Sequence, residues 1–230
     1  MFSEFNRKII ASAFNRKIRC LTGARSDFKA GFSLTQAGGL NQIIKKRIVL
    51  DPYDKVRGYA PLQLQANEVL CSHDHFDHNY RTAVTVKGSK SPFRITPVET
   101  FHDDQRGELR GTNTVHIMRA EGLTVIHLGD LGHQLNREQT AALRGCDVLL
   151  IPVGGTYTVD PAGAKAVTET LAPRIVVPMH YRRGDLGFDN IAPLEDFLRL
   201  FPAEKIHELA GDSFEVTPEL SGVVVPRYQG

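Results

Sequence analysis

The sequence predicts an α/β chain in which two β-sheets pack together with helices outside them. Three observations lead there. Short β-branched runs dominate the first half of the chain, such runs alternate with helical patterns in the second half, and no Pro/Gly/Ser-rich linker separates the two. The 230 residues are 41% hydrophobic and 23% charged, ordinary globular usage that excludes a disordered, collagen-like or mucin-like chain. A domain of this size buries roughly 70–75% of the surface its unfolded chain exposes, so it needs no disulfide staples.

In chain order, KRIVL at 46–50 reads as a strand that stops at Asp51-Pro52-Tyr53, and EVLCS at 68–72 reads as a second. Residues 83–87 and 93–99 are β-rich runs split by a Gly/Ser/Pro turn. Runs 114–119 and 123–128 form a hairpin around Ala120-Glu121-Gly122. A short helix spans 136–143 and ends near Gly145, and a strand at 148–153 runs into Gly154-Gly155. Asp160 is placed to N-cap a helix with Pro161 at its first position, reaching Leu171. A strand at 174–178, a helix at 193–200 and late strands at 205–209, 213–216 and 222–225 complete the pattern. Residues 20–45 read only weakly as strands.

The charge is uneven. Residues 1–30 hold seven basic and two acidic residues, a balance of +5, so with +2 for the whole chain the other 200 residues carry −3. The pI near 8.4 therefore comes from one end, and is poor support for a nucleic-acid surface, which needs a basic stripe on the folded body. On this basis the chain divides into a basic N-terminal extension, 1–30, and a single domain, 31–230. The extension repeats itself: Phe5-Asn6-Arg7-Lys8-Ile9 recurs as Phe14-Asn15-Arg16-Lys17-Ile18. It reads as a duplicated start or a basic surface helix, and one such offset is too little for a solenoid. No run of about 18 apolar residues and no secretory h-region occurs, so a cytoplasmic location is expected. Cys20, Cys71 and Cys146 are odd in number and scattered, which suggests neither a disulfide framework nor a cysteine zinc ribbon. With nine histidines present, a transition metal here would be held by nitrogen and carboxylate.

The informative segment is Ser72-His73-Asp74-His75-Phe76-Asp77-His78-Asn79. His73 and His75 are two apart, so at a strand end they project to one side. Two imidazoles so placed can hold one metal at about 2.0–2.1 Å. Asp77 and His78 follow after one residue, where a turn can aim them at a neighbouring position. Further ligands are expected downstream at strand ends: His102 after the run 93–99, Asp130 in His127-Leu128-Gly129-Asp130, and His180 after Val176-Val177-Pro178-Met179.

With H-x-H-x-D-H, then a late His, then Gly-Asp, then a strand-ending His, the chain resembles the metallo-β-lactamase superfamily from about Arg47 to its C-terminus. Asp51 matches that family's first motif, and His73, His75, Asp77 and His78 match its second. His102, Asp130 and His180 match the third, fourth and fifth. The resemblance implies a four-layer αββα sandwich with a metal site at one edge. It implies one Zn2+ on His73, His75 and His102, a second on Asp77, His78 and His180, and Asp130 bridging them, the ions about 3.5–4 Å apart. His75 stands where the di-iron, oxygen-reducing branch has a Glu, and an imidazole-rich set suits zinc, with Mn2+ or Fe2+ as alternatives. Residues 101–113, 129–133 and 152–159 are similar to the compact, largely uncharacterised metal-dependent hydrolases near the L-ascorbate-6-phosphate lactonase and N-acyl-phosphatidylethanolamine phospholipase D-like branches. Those relatives begin with a strand followed by Gly-His, whereas here Leu21-Thr22-Gly23-Ala24-Arg25-Ser26 has no histidine.

The activity this implies is a zinc-dependent hydrolase that uses a metal-bridged hydroxide to cleave an ester, lactone or phosphodiester bond of a small molecule, anionic substrates among the candidates, with no nucleic acid and no membrane span expected. Zinc brings the pKa of water to about 7, and Asp77 is placed to orient the nucleophile or take its proton. Asp51 is expected to fix a ligand histidine from behind. His133, three residues after Asp130, is a candidate general acid. Tyr157 is a candidate oxyanion donor, and Arg110 and Arg182 are candidate contacts for an anionic substrate. His116, His127 and His207 read as structural, and Cys71 as core. Two other functions compete: a non-catalytic metal-binding or regulatory protein on the same fold, and a metal-dependent nuclease. The −3 balance after residue 30 weighs against the nuclease, since backbone binding needs Lys and Arg.

Overall fold

A computed structural model of the chain describes residues 17–23, 29–38, 42–54, 56, 60–88 and 93–227, with side chains from residue 46 onward. Its strands, in chain order, are β1 (Lys17–Gly23), β2 (Lys29–Gly38), β3 (Gln42–Leu50), β4 (Leu64–Ala66), β5 (Glu68–Leu70), β6 (Val84–Val86), β7 (Arg94–Phe101), β8 (Thr112–Ala120) and β9 (Leu123–His127). Helix α1 (Arg137–Leu143), β10 (Val148–Pro152), α2 (Pro161–Leu171), β11 (Ile175–Met179), α3 (Leu194–Leu198), β12 (Ile206–Glu208), β13 (Ser213–Glu215) and β14 (Gly222–Val225) follow. One sheet has the order β13-β1-β2-β3-β5, and the other the order β12-β14-β11-β10-β9-β8-β7.

Two cores explain the layering. β10 is buried along its whole length, and its alternate residues face opposite ways. Val148 and Leu150 point at the five-stranded sheet, where they join Ile48, Leu50 and Phe214. Leu149 and Ile151 point outward and meet Leu143 of α1, Val167 and Leu171 of α2, and Leu194 and Phe197 of α3. Across the five-stranded sheet a third cluster, Val49 with Ala66 and Val84, seats the two-stranded ribbon β4–β6. The result is the expected layered sandwich, in which, among the described residues, the outer cover of the smaller sheet is this ribbon.

The helices begin where their caps dictate. The Asn136 side chain accepts from Gln139 N–H while the Gln139 side chain accepts from Asn136 N–H, a reciprocal capping box. Asp160 accepts from Gly163 N–H ahead of Pro161, and Ala172 ends α2 in the left-handed region.

Near the N-terminus the structure departs from expectation. The boundary drawn at residues 30/31 falls inside β2, and β1 before it already pairs with β2 and β13. Residues 17–23 are therefore part of the sheet and not of an extension. Residues 1–16, with the first repeat copy and most of the second, lie outside the described residues. No described helix is long and apolar enough to cross a membrane.

Candidate metal centre

Strand direction assembles the site. β7 and β9 are both antiparallel to β8 and so run the same way, and β9, β10 and β11 are parallel. Their C-terminal ends therefore share one edge, where His102, Asp130 and His180 follow β7, β9 and β11. β3 and β5 of the other sheet are parallel to each other and end just before Asp51 and the His73–His78 loop. His78 N–H and Asn79 N–H both donate to the His75 carbonyl, the turn that brings Asp77 and His78 back toward the edge.

The cluster is organised around one oxygen. Asp130 Oδ2 lies 3.2 Å from His78 Nε2, 3.4 Å from His102 Nε2, 3.5 Å from His180 Nε2 and 4.0 Å from His73 Nε2. Asp77 Oδ2 is 3.4 Å from His78 Nε2. Two groups of donor atoms converge within 4.8 Å: His73 with His75 and His102, and His73 with His78 and Asp130. Burial would raise the Asp130 pKa, but the imidazoles of His78 and His180 hold it well below the usual carboxylate range. Burial, and then His78, push His73 down to about 3, and burial lowers His102.

Hydrogen bonds behind the cluster fix the tautomers. Buried Asp51 accepts from Ser72 N–H (2.6 Å), Ser72 Oγ–H (2.7 Å) and His78 Nδ1–H (3.1 Å). Since the Ser72 hydroxyl proton goes to Asp51, Ser72 Oγ must accept from His73 Nδ1–H, 2.9 Å away. His102 Nδ1–H donates to the Tyr157 carbonyl at 3.0 Å. So His73, His78 and His102 all carry their proton on Nδ1 and turn an Nε2 lone pair toward Asp130. Three lone pairs facing a carboxylate oxygen repel one another unless a cation lies among them, and His73 Nε2 is buried with no hydrogen-bond partner among the described residues. The donor set thus fits a metal, and its imidazole-rich chemistry fits zinc.

Backbone geometry locks these positions. Asp51 and His180 have φ of 44° and 53°, rare for residues with side chains and a form of strain kept at functional sites. Gly129, before Asp130, has φ of 56°, and a Cβ there would stand 2.3 Å from Asn113 Oδ1 and 2.5 Å from Ser72 Cβ. Asn113 in turn accepts from Asp130 N–H and donates to Thr100 Oγ1 and the Leu128 carbonyl. At Gly154 a Cβ would lie 2.1 Å from the His180 carbonyl oxygen.

A cavity of about 410 Å³ opens above the cluster, lined by His75, Asp77, His102, Asp130 and His180 together with Phe76, Leu109, Arg110, Tyr157 and Phe188. Tyr157 and Arg110 are therefore brought to the site, with the guanidinium carbon 5.7 Å from the Tyr157 ring centre. His133 and Arg182 are not among the cavity-lining residues. His133 Nε2 accepts from Phe101 N–H and its Nδ1–H donates to the Gln134 carbonyl, so both ring nitrogens are spent on backbone and the general-acid expectation is withdrawn. Arg182 Nε donates to the Ile191 carbonyl at 3.4 Å, and the residue is not brought to this cavity. Sequence reading missed Asp103, whose carboxylate accepts from the backbone N–H of Gln105, Gly107, Leu109 and Arg110 and so shapes the rim. The Asp-x-Gln-x-Gly spacing was its only local signal. His127, read as structural from the sequence, has its Nε2 3.7 Å from Asp51 Oδ2.

The profile of the Beta-lactamase superfamily domain matches residues 40–180. A metal-dependent hydrolase of Thermoplasma acidophilum is 26% identical over 180 residues, 62% of this chain and 79% of that protein. Among solved structures, a Thermotoga maritima protein named for the Zn-dependent hydrolases of the metallo-β-lactamase superfamily superposes with a TM-score of 0.67 at 31% identity, covering 92% of this chain and all of its own. A Parabacteroides distasonis protein named as a metal-dependent hydrolase shares the fold at 15% identity, with a TM-score of 0.54 over 91% of this chain and 99% of its own.

Proposed function

The chain belongs to the Beta-lactamase superfamily domain family, and from that premise we propose that this metal-dependent hydrolase holds two zinc ions and cleaves an ester, lactone or phosphodiester bond of a small molecule. The observation that carries the reading is the ring of Nε2 lone pairs around Asp130 Oδ2. His73, His75 and His102 would hold one ion, Asp77, His78 and His180 the other, and Asp130 would serve both. When bound, such ions acidify water to a pKa near about 7 and polarise the substrate oxygen.

The chain's own residues supply the rest. In hydrolysis the water oxygen bonds to the acyl carbon or phosphorus while the bond to the leaving oxygen breaks. One water proton goes to the leaving oxygen and the other is released. Asp77, on the cavity wall, orients the water and takes that proton. Tyr157 accepts from Asn190 Nδ2 at 2.7 Å, which leaves its phenolic proton for an oxygen in the cavity. Asp51 holds His78 directly and His73 through Ser72. The three cysteines are scattered and odd in number, which offers no disulfide framework, and we place the enzyme in the cytoplasm.

Elemental analysis of purified protein should find close to two metals per chain. The metal-loaded protein should turn over at least one member of a panel of chromogenic carboxylesters, lactones and phosphodiesters, and His180→Ala should abolish that turnover. A chain that takes up no zinc, or turnover that survives His180→Ala, would refute the reading.

A further inference from the structure

The cavity floor is ionic, but its rim is not. Phe76 is 63% exposed and Leu109 is 59% exposed, and both line the same cavity. Single exposed apolar residues are ordinary on protein surfaces. Here two of them stand with Tyr157 and Phe188, whose rings are 6.0 Å apart, as a collar over one concave site. Phe76 lies inside the H-x-H-x-D-H loop itself, so whatever reaches the floor passes its face.

Among the described residues lining the cavity, Arg110 is the one cation. Arg174, Arg183 and Arg199 are paired with Asp147, Glu208 and Asp196. Arg110 is half-buried, and among the described residues no carboxylate lies within ion-pair distance of it. Its guanidinium rests over the Tyr157 ring, and its backbone N–H donates to Asp103 Oδ2 at 2.8 Å, so its place is set before any ligand arrives. A half-desolvated guanidinium that lacks an acidic partner is satisfied by an oxyacid, which accepts two of its parallel N–H donors.

We propose that the site takes a small amphipathic substrate: an apolar acyl or alkyl group laid on Phe76 and Leu109, and an anionic oxyacid group, carboxylate or phosphate, held by Arg110. This rests on the hydrolase reading and names the class of molecule that enzyme would act on. A cavity of about 410 Å³ lies in the range of small-molecule sites, about 300–1,000 Å³.

The test is calorimetric titration of the metal-loaded protein with acetate, hexanoate, adipate and 6-phosphonohexanoate. Acetate, hexanoate and adipate each place a carboxylate on the floor, so their ratios read the rim, R110Q separates an Arg110 contact of the phosphonate from a metal contact, and no turnover is needed. Absence of turnover on the ester panel would count against the hydrolase reading alone. Hexanoate should bind at least about tenfold more tightly than acetate. Adipate or 6-phosphonohexanoate should bind about fivefold more tightly than hexanoate, the tighter of the two naming the oxyacid. The double variant F76S/L109S should bring hexanoate and acetate within about twofold, and R110Q should remove only the gain from the second anion. Four ligands within about twofold of one another, no measurable binding of any, or preferences that persist in both variants would overturn the proposal.

Discussion

The two halves of the histidine–aspartate cluster each draw residues from one octapeptide but are enclosed differently. The open half, His73, His75 and His102, has three imidazoles and no carboxylate, and His75 is exposed on the cavity wall. The closed half, His78 and Asp130 with Asp77 and His180 beside them, is buried and carries two carboxylates. Behind the closed half stand Asp51 and His127. The difference teaches that charge and enclosure are concentrated on one side, so the two halves should lose metal separately. Asp130 faces both, and Asp51 reaches both, His78 directly and His73 through Ser72.

The largest effect is expected at Asp130, the oxygen that all four Nε2 atoms face. Asp130→Ala should lower kcat/KM by on the order of 10³-fold or more and reduce the metal content of both halves, since even residues behind a ligand cost about 10–100-fold. Elemental analysis beside steady-state rates reads both, and loss of one metal alone would mean that the halves do not share this carboxylate.

Asp51→Ala and Ser72→Ala then pull the halves apart. Asp51 grips His78 directly and His73 only through the Ser72 hydroxyl. Asp51→Ala should weaken metal binding in both halves by about 10–100-fold, with the fold retained by circular dichroism. Ser72→Ala leaves the Asp51–His78 bond in place, frees His73 Nδ1 and takes one donor from Asp51. It should weaken the open half by about tenfold and leave one metal bound at a chelator concentration that leaves both on the wild type. Full zinc retention and full activity in Asp51→Ala would remove Asp51 from the site.

Much of this was legible because it is local. The spacing of His73, His75, Asp77 and His78 is fixed by six residues of chain, and His102, Asp130 and His180 by the apolar strands that precede them. Asp160 with Pro161 marked the start of α2 to the residue. What was not legible depends on distant pairing. β1 reads weakly because its strand character is completed by β13, as in the partnership of Arg19 with Glu215. β4 is three residues held by a parallel partner, β6. His133 sits three residues from Asp130, yet Gly132 N–H donates to the Phe101 carbonyl and the chain carries the ring to the edge of β7. No spacing rule shows which way such a loop leaves.

The smallest effect separates the halves through protons alone. Burial pushes His73 to about 3 and His127 to about 4, both from an ordinary 6.5. Below pH 6.5 the unfolded chain binds protons at these positions that the fold refuses. Stability of the metal-free protein is therefore full above about pH 6.5 and falls as pH drops, down to about 4 for His127 and about 3 for His73. Well inside that window each group contributes a loss of about 1.4 kcal/mol per pH unit. Urea midpoints in chelator from neutral pH downward should show this ramp, and a flat profile would mean that neither ring is held neutral. His127 accepts from Gly129 N–H and lies behind the closed half, so His127→Gln should remove one share of the slope and leave the other. Zinc added back should steepen the loss through His73, whose Nε2 must be unprotonated to bind it. The His127 share should stay as it was, because that ring supports the site without being a ligand.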